Sequence, residues 1–211
     1  MENTEDKNPR NNDGNTPLHK AAYNGHLNVC RCIMENTEDK NPRNNAGATP
    51  LHAAALKGHL DECKYIIKNT EDKNPRCNSG STPLYQAALN GHLDLCKYIM
   101  QNTEDKNPGN NDGITPLHQA ANNGHLDVCK YIIEYTEDKN PRCIIGITPL
   151  HQAAYNGHLD VCKYIMENTD EKSPRNNLGV TPIDIARHRN HLKVVDFMQN
   201  AISKYWPCPS S

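Results

Sequence analysis

Eleven histidines and nine cysteines are the side chains of this 211-residue chain that could bind a metal, relay a proton or act as a nucleophile. Four of the histidines, His19, His52, His118 and His151, follow Thr-Pro-Leu, and six more, His26, His59, His92, His125, His158 and His191, precede a leucine. Five cysteines, Cys30, Cys63, Cys96, Cys129 and Cys162, each stand four residues after a histidine, the i, i+4 spacing that puts two ligands on one helix face. That pair recurs identically five times, however, whereas a zinc site gathers three or four ligands at one point and a catalytic site is singular. One copy per repeat argues for structure. No glycine-rich phosphate loop, nucleophile elbow or paired carboxylates stand out, so neither a catalytic residue nor a metal or cofactor site is expected. The cysteine column ends in Val195, which marks it as a place for a small apolar filler. Stacked helices lie about 8–10 Å apart, beyond the roughly 7 Å Cα separation of a disulfide, so the column should stay reduced. Cys77 and Cys143 fall in loops and Cys208 in the tail, where chance oxidation is the expected chemistry.

The elements that position these residues repeat. Thr-Pro recurs at Thr16, Thr49, Thr82, Thr115, Thr148 and Thr181, always 33 residues apart, and Gly-His-Leu at Gly25, Gly58, Gly91, Gly124 and Gly157, with Asn190-His191-Leu192 in the sixth place. Within one unit, Asp13-Gly14-Asn15 predicts a turn, and Thr16-Pro17 opens a short helix with an N-cap threonine and a first-turn proline. Leu18, Ala21 and Ala22 form its inner face, and Asn24-Gly25 ends it. A second helix runs from about 28 to 34 with Leu27, Cys30, Ile33 and Met34 on its apolar side. A polar stretch, Asn36 to Arg43, leads to the next turn. The unit is helix–turn–helix–loop, an all-α solenoid with repeats at about 11–43, 44–76, 77–109, 110–142, 143–175 and 176–203, in a single array over 1–203 with a flexible tail at 204–211.

Composition fits that plan. Leu, Ile, Val and Phe number 36, about a sixth of the chain, low enough to raise disorder as an alternative. The net charge of −2 does not support it, and stacked units need only a thin continuous core. Interspersed charges and a pI near 6.6 give no case for nucleic acid, and no stretch is long enough to insert in a membrane. No signal-peptide core precedes the repeats, and unpaired cysteines suit a reducing intracellular compartment, cytoplasmic or nuclear. The Lys40, Lys73, Lys106, Lys139 and Arg43, Arg76, Arg142 ladders carry acidic neighbours and read as a solvated edge.

Thr-Pro-Leu-His-X-Ala-Ala-X-X-Gly-His-Leu at this period closely resembles the ankyrin repeat, over roughly residues 10–200. The resemblance implies an L-shaped unit of two antiparallel helices and a projecting finger, histidines of the first column bonded to backbone, and a concave surface of fingers and first helices that grips other proteins. One departure is consistent: Thr37 to Pro42 and its copies replace the family's glycine and buried valine, which leaves the end of the second helix and the base of the finger open. Tyr85 and Asp184 also stand in the histidine column.

Comparison of the six copies locates the candidate binding surface. Four columns vary. Before the finger glycine stand Asp13, Ala46, Ser79, Asp112, Ile145 and Leu178; after it, Asn15, Ala48, Ser81, Ile114, Ile147 and Val180. On the first helix the columns are Lys20, Ala53, Gln86, Gln119, Gln152, Ile185 and Tyr23, Leu56, Leu89, Asn122, Tyr155, His188. With Ile144, the residues Ile114, Ile145, Ile147, Leu178 and Val180 would make an apolar stripe, a feature that marks interaction sites unless the fingers simply pack on one another. The last copy, with Arg187, Arg189, Lys193 and Asp196, reads as a polar cap with a helix continuing to about 202. The expected function is a monomeric adaptor that binds a partner protein. Alternatives are a regulatory fragment of a larger enzyme, channel or effector, and a recently duplicated or designed array with no tight partner. The loop asparagines Asn41, Asn74, Asn107 and Asn140 resemble those hydroxylated in similar repeats.

Overall fold

The computed structural model describes residues 9–205 and contains twelve α-helices in successive pairs, with no strand among the described residues. The chain divides into two compact units, Met1–Asp105 and Lys106–Ser211. The first holds α1 (Pro17–Tyr23), α2 (Leu27–Asn36), α3 (Pro50–Lys57), α4 (Leu60–Asn69), α5 (Pro83–Leu89) and α6 (Leu93–Gln101). The second holds α7 (Pro116–Asn122), α8 (Leu126–Glu134), α9 (Pro149–Tyr155), α10 (Leu159–Asn168), α11 (Pro182–His188) and α12 (Leu192–Tyr205). Within each unit every first helix packs on its own partner and on the next first helix, so two layers of helices run side by side.

Local chemistry explains the pairs. Each first helix starts at a threonine in extended conformation, followed by proline, which lacks only an N–H that a helix start leaves unbonded anyway. In the first five copies its buried positions include a leucine and two alanines, as in Leu51, Ala54 and Ala55, small enough for the neighbouring helices to approach. At the turn to the second helix, Gly58 has φ +75°, and a Cβ there would lie 2.6 Å from the His92 ring of the next repeat. The second helices begin and end a little outside the predicted span, at Leu27 and Asn36 in the first copy. Their buried face is the cysteine column with the two apolar residues three and four positions on, such as Cys96, Ile99 and Met100. The leucine that opens each helix is at most half-buried, and after the first copy, where Val29 is 48% exposed, the residue before the cysteine column is the better core position: Leu95, Val128, Val161 and Val194 are buried there. So is Glu62, only 5% exposed in an otherwise apolar column.

The base of the finger, left open by the sequence, is built without the missing glycine. Thr37 and Thr70 follow their helices in extended conformation, and each hydroxyl donates back to a carbonyl of the last turn, Ile33 and Ile66, at 2.9 Å. Thr136 and Thr169 bond Ile132 and Ile165 in the same way. The aspartate two residues on accepts from the asparagine N–H, as Asp72 does from Asn74 at 3.1 Å, which turns the chain. Lysine then serves where the family has a valine: the Lys73 ammonium donates to the carbonyls of Ile67 and Thr70, and Lys172 to those of Met166 and Thr169. A cation there meets the negative end of the helix.

Candidate functional site

The histidines of the first column tie finger to finger. The N–H of Thr49 donates to His52 Nδ1 at 3.1 Å, so the ring proton is on Nε2, which donates to the Ser81 carbonyl of the next finger at 3.1 Å. His19, His118 and His151 make the same pair of bonds, to the carbonyls of Ala48, Ile147 and Val180. Burial holds these rings neutral, pushing His52 and His118 down to about 4 and lowering His19 and His151 as well. The second column bonds to the preceding unit: His59, His158 and His191 reach the carbonyls of Tyr23, Asn122 and Tyr155, each at 3.0 Å. In the cap, Asp184 takes over the box and accepts from the Thr181 N–H and hydroxyl. The hydroxyl bond holds its carboxyl below the usual carboxylate range.

Cys30, Cys63, Cys96, Cys129 and Cys162 are fully buried, and none of them is in a disulfide. Burial raises their thiols where a shift is resolved, Cys30 to about 11 and Cys96 and Cys162 to about 12. A thiol so protonated is a poor nucleophile or ligand. Cys143 is not the accessible loop residue expected: it is only 8% exposed. Cys208 lies outside the described residues. Among the described residues no three of His, Cys, Asp and Glu converge on a metal position. No helix described is long and apolar enough to cross a membrane.

The arginine ladder does more than expected. Arg10 donates to the Gly14 carbonyl of its own finger at 3.0 Å and to the Arg43 carbonyl of the next at 2.6 Å. Arg43 does the same to Gly47 and Arg76, and Arg142 to Gly146 and Arg175. These guanidinium groups remain at an exposed edge, as expected, but also strut finger to finger. Backbone and amide bonds complete the junctions: the Asn45 N–H donates to the Asp13 carbonyl at 3.0 Å and its side-chain amide to the Asn12 carbonyl at 3.0 Å. Asn78 repeats both bonds to Ala46 and Asn45, and Asn177 to Ile145 and Ile144.

These junctions sort the variable columns. The residue after the finger glycine is half-buried at Ala48, Ile114, Ile147 and Val180 and buried at Ser81, and Asn15 is held by the Asn44 amide at 2.8 Å. The apolar stripe therefore shrinks to the tips: Ile144, Ile145 and Leu178 are 66%, 63% and 87% exposed. Asp13 and Asp112 are exposed tips in the same column. On the first helices Lys20, Tyr23 and Tyr155 are exposed, while Leu56, Gln86, Leu89, Gln119, Asn122 and Gln152 are partly covered. Lys57 stands 4.7 Å over the Tyr23 ring and Arg189 4.3 Å over that of Tyr155. Asn122 accepts from the Asn156 amide through both its carbonyls.

The family description "ankyrin repeats (3 copies)" matches residues 1–77, 66–143 and 137–205. The chain is an ankyrin-repeat protein. Ankyrin repeats are generally protein–protein interaction modules and typically non-catalytic. No curated protein matches this ankyrin-repeat chain. Its first histidine column, its cysteine column and its ladder arginines have bonding or packing roles inside the repeats.

Proposed function

We propose that this chain is an adaptor that binds a partner protein on its finger tips and first helices, with Ile144, Ile145 and Leu178 as the apolar centre of the contact. One observation carries the reading. Position 144 belongs to a column that is asparagine in every other copy, Asn12, Asn45, Asn78, Asn111 and Asn177. At 45, 78 and 177 its amide bonds the neighbouring finger, yet Ile144 gives up that bond and leaves an isoleucine 66% exposed. Folding gains nothing from the exchange, whereas an interface core favours such a side chain. Tyr23 and Tyr155 on the first helices add the amphipathic surface common at protein contacts.

The test is affinity capture from lysate of the source cells on two baits, the native chain and an Ile144→Asn, Ile145→Asp, Leu178→Asp variant. Circular dichroism and melting verify that the variant folds. A partner held by the first bait and lost by the second supports the reading. The same partner on both baits moves the surface elsewhere, and no partner on either refutes an adaptor.

A further inference from the structure

The finger ladder is open at its sixth rung while the helix layers beneath it are closed. At the finger glycines Gly14, Gly47 and Gly146, an added Cβ would lie 2.3 to 2.5 Å from the asparagine side chain of the following finger, Asn45, Asn78 or Asn177. Gly179 has the same left-handed backbone, φ +75°, with nothing within 4 Å of that position. The seat for an asparagine is formed and empty. Its bonding groups are in place as well: the Arg175 guanidinium donates to the Gly179 carbonyl at 2.8 Å, the arrangement from which Arg10, Arg43 and Arg142 reach the next finger. The carbonyls of Asn177 and Leu178 correspond to those of Asn12 and Asp13, which accept from Asn45.

The helices of the same repeat refuse a further repeat. Where Gly25, Gly58, Gly124 and Gly157 leave room for the histidine of the next unit, the sixth copy has Asn190 at φ +60°, with a Cβ in that space. The bridging histidine is replaced by Asp184, whose carboxylate is turned to Thr181. Lys163 stands 5.9 Å over the Phe197 ring, but the lysine column ends there, with Asp196 in the next place. A finger can continue without helices only as an extended segment.

We infer that the outer edge of residues 175–180 binds an extended peptide of a partner protein, through an asparagine followed by an apolar residue. The asparagine N–H donates to the Leu178 carbonyl and its amide to the Asn177 carbonyl, while Arg175 donates to a carbonyl two residues earlier. The apolar side chain covers Leu178, which is 87% exposed. This is strand addition to an unpaired edge, with main-chain bonds for affinity and the asparagine seat for selection. It shares Leu178 with the tip contact proposed above but needs neither Ile144 nor Ile145.

The experiment titrates the isotope-labelled full chain with the end-blocked octapeptide Pro-Arg-Asn-Asn-Leu-Gly-Val-Thr, followed by amide NMR shifts. Saturable shifts at Asn177, Leu178 and Gly179, with a dissociation constant below about 1 mM, are expected. Proline at the second asparagine of the peptide removes both donors and should weaken binding about tenfold or more. So should Gly179→Asn in the chain, which fills the seat with a Cβ while leaving every tip side chain in place. Asn190 takes a similar left-handed backbone, φ +60°, so the variant should still fold with only a small loss of stability. Were it to unfold, Arg175→Ala gives the same test by removing a donor. Absence of saturable shifts, or shifts indifferent to both changes, would overturn the inference. So would concentration-dependent self-association in sedimentation that Asn12→Pro abolishes, because the occupant would then be the first finger of a second copy.

Discussion

Acid should loosen this array through His52 and His118, by an amount that follows from their geometry. Each ring accepts a threonine N–H on Nδ1 and donates from Nε2, so a second proton has no place unless the N-terminal box of the helix opens. In the unfolded chain these rings titrate near 6.5, and in the fold only at about 4, chiefly because of burial. The unfolded state therefore binds protons first as pH falls. Their contribution is complete above about pH 6.5, declines through the interval down to about 4 and is lost below it. A difference of some 2.5 units at about 1.36 kcal/mol per unit amounts to about 3 kcal/mol for each ring, of which about 2 kcal/mol is gone by pH 5. Urea unfolding at pH 7.5 and pH 5 measures the loss. The control is a His52→Gln, His118→Gln variant, because glutamine can keep the helix-start box without titrating. The native chain should lose about 4 kcal/mol more than this variant over that interval, from two rings at about 2 kcal/mol each. Equal losses in the two proteins, or NMR evidence of a doubly protonated ring in the intact fold at pH 5.5, would refute the reasoning.

Other outcomes follow from single positions. Ile144→Asn should raise stability by about 0.5–1.5 kcal/mol in denaturant titration, by restoring an interfinger amide bond, while weakening partner capture. Glu62→Val should stabilise by about 1–2 kcal/mol, since a charge gives way to the side chain its column otherwise carries. Gly146→Asn should lower the melting temperature sharply where Gly179→Asn does not, because a Cβ at 146 meets Asn177 at 2.5 Å. A thiol reagent should label Cys32 and Cys77 of the native chain quickly, and the buried column only on unfolding, read by mass spectrometry of the digested protein.

The helix pairs were legible in the sequence because their signals are local: threonine and proline at the start, glycine at the turn, and an apolar residue every three or four positions. The histidine and cysteine columns could be assigned to structure from recurrence alone. The cations could not. Lys73 and Arg43 look like solvated charges beside Glu and Asp, and only the folded chain brings a carbonyl to each. A usable signal was present, since each ladder arginine stands four residues before a finger glycine whose carbonyl it meets. The candidate surface was half legible. Variation picked out the candidate columns, but their spacing does not reveal that Ile114 and Ile147 are half-buried while Ile145 is exposed. Ile144 was marked by the asparagine it displaces, and the reason for that asparagine is visible only in the bonds of Asn45 and Asn177.

Within each unit the bonds described between neighbouring copies join residues 29 to 36 positions apart, as in His52 to Ser81, Arg43 to Arg76 and His59 to Tyr23. No such link asks the chain to close a long loop, so folding can start at any pair of copies and spread outward, as expected of a structure with low contact order. The same distances make the gene editable in only one increment. Insertion or loss of a whole 33-residue copy leaves every strut with a partner of the same kind, whereas a gain of one residue puts histidine, arginine and asparagine out of step with three different acceptors at once. The uninterrupted period of this chain is what such a filter leaves behind.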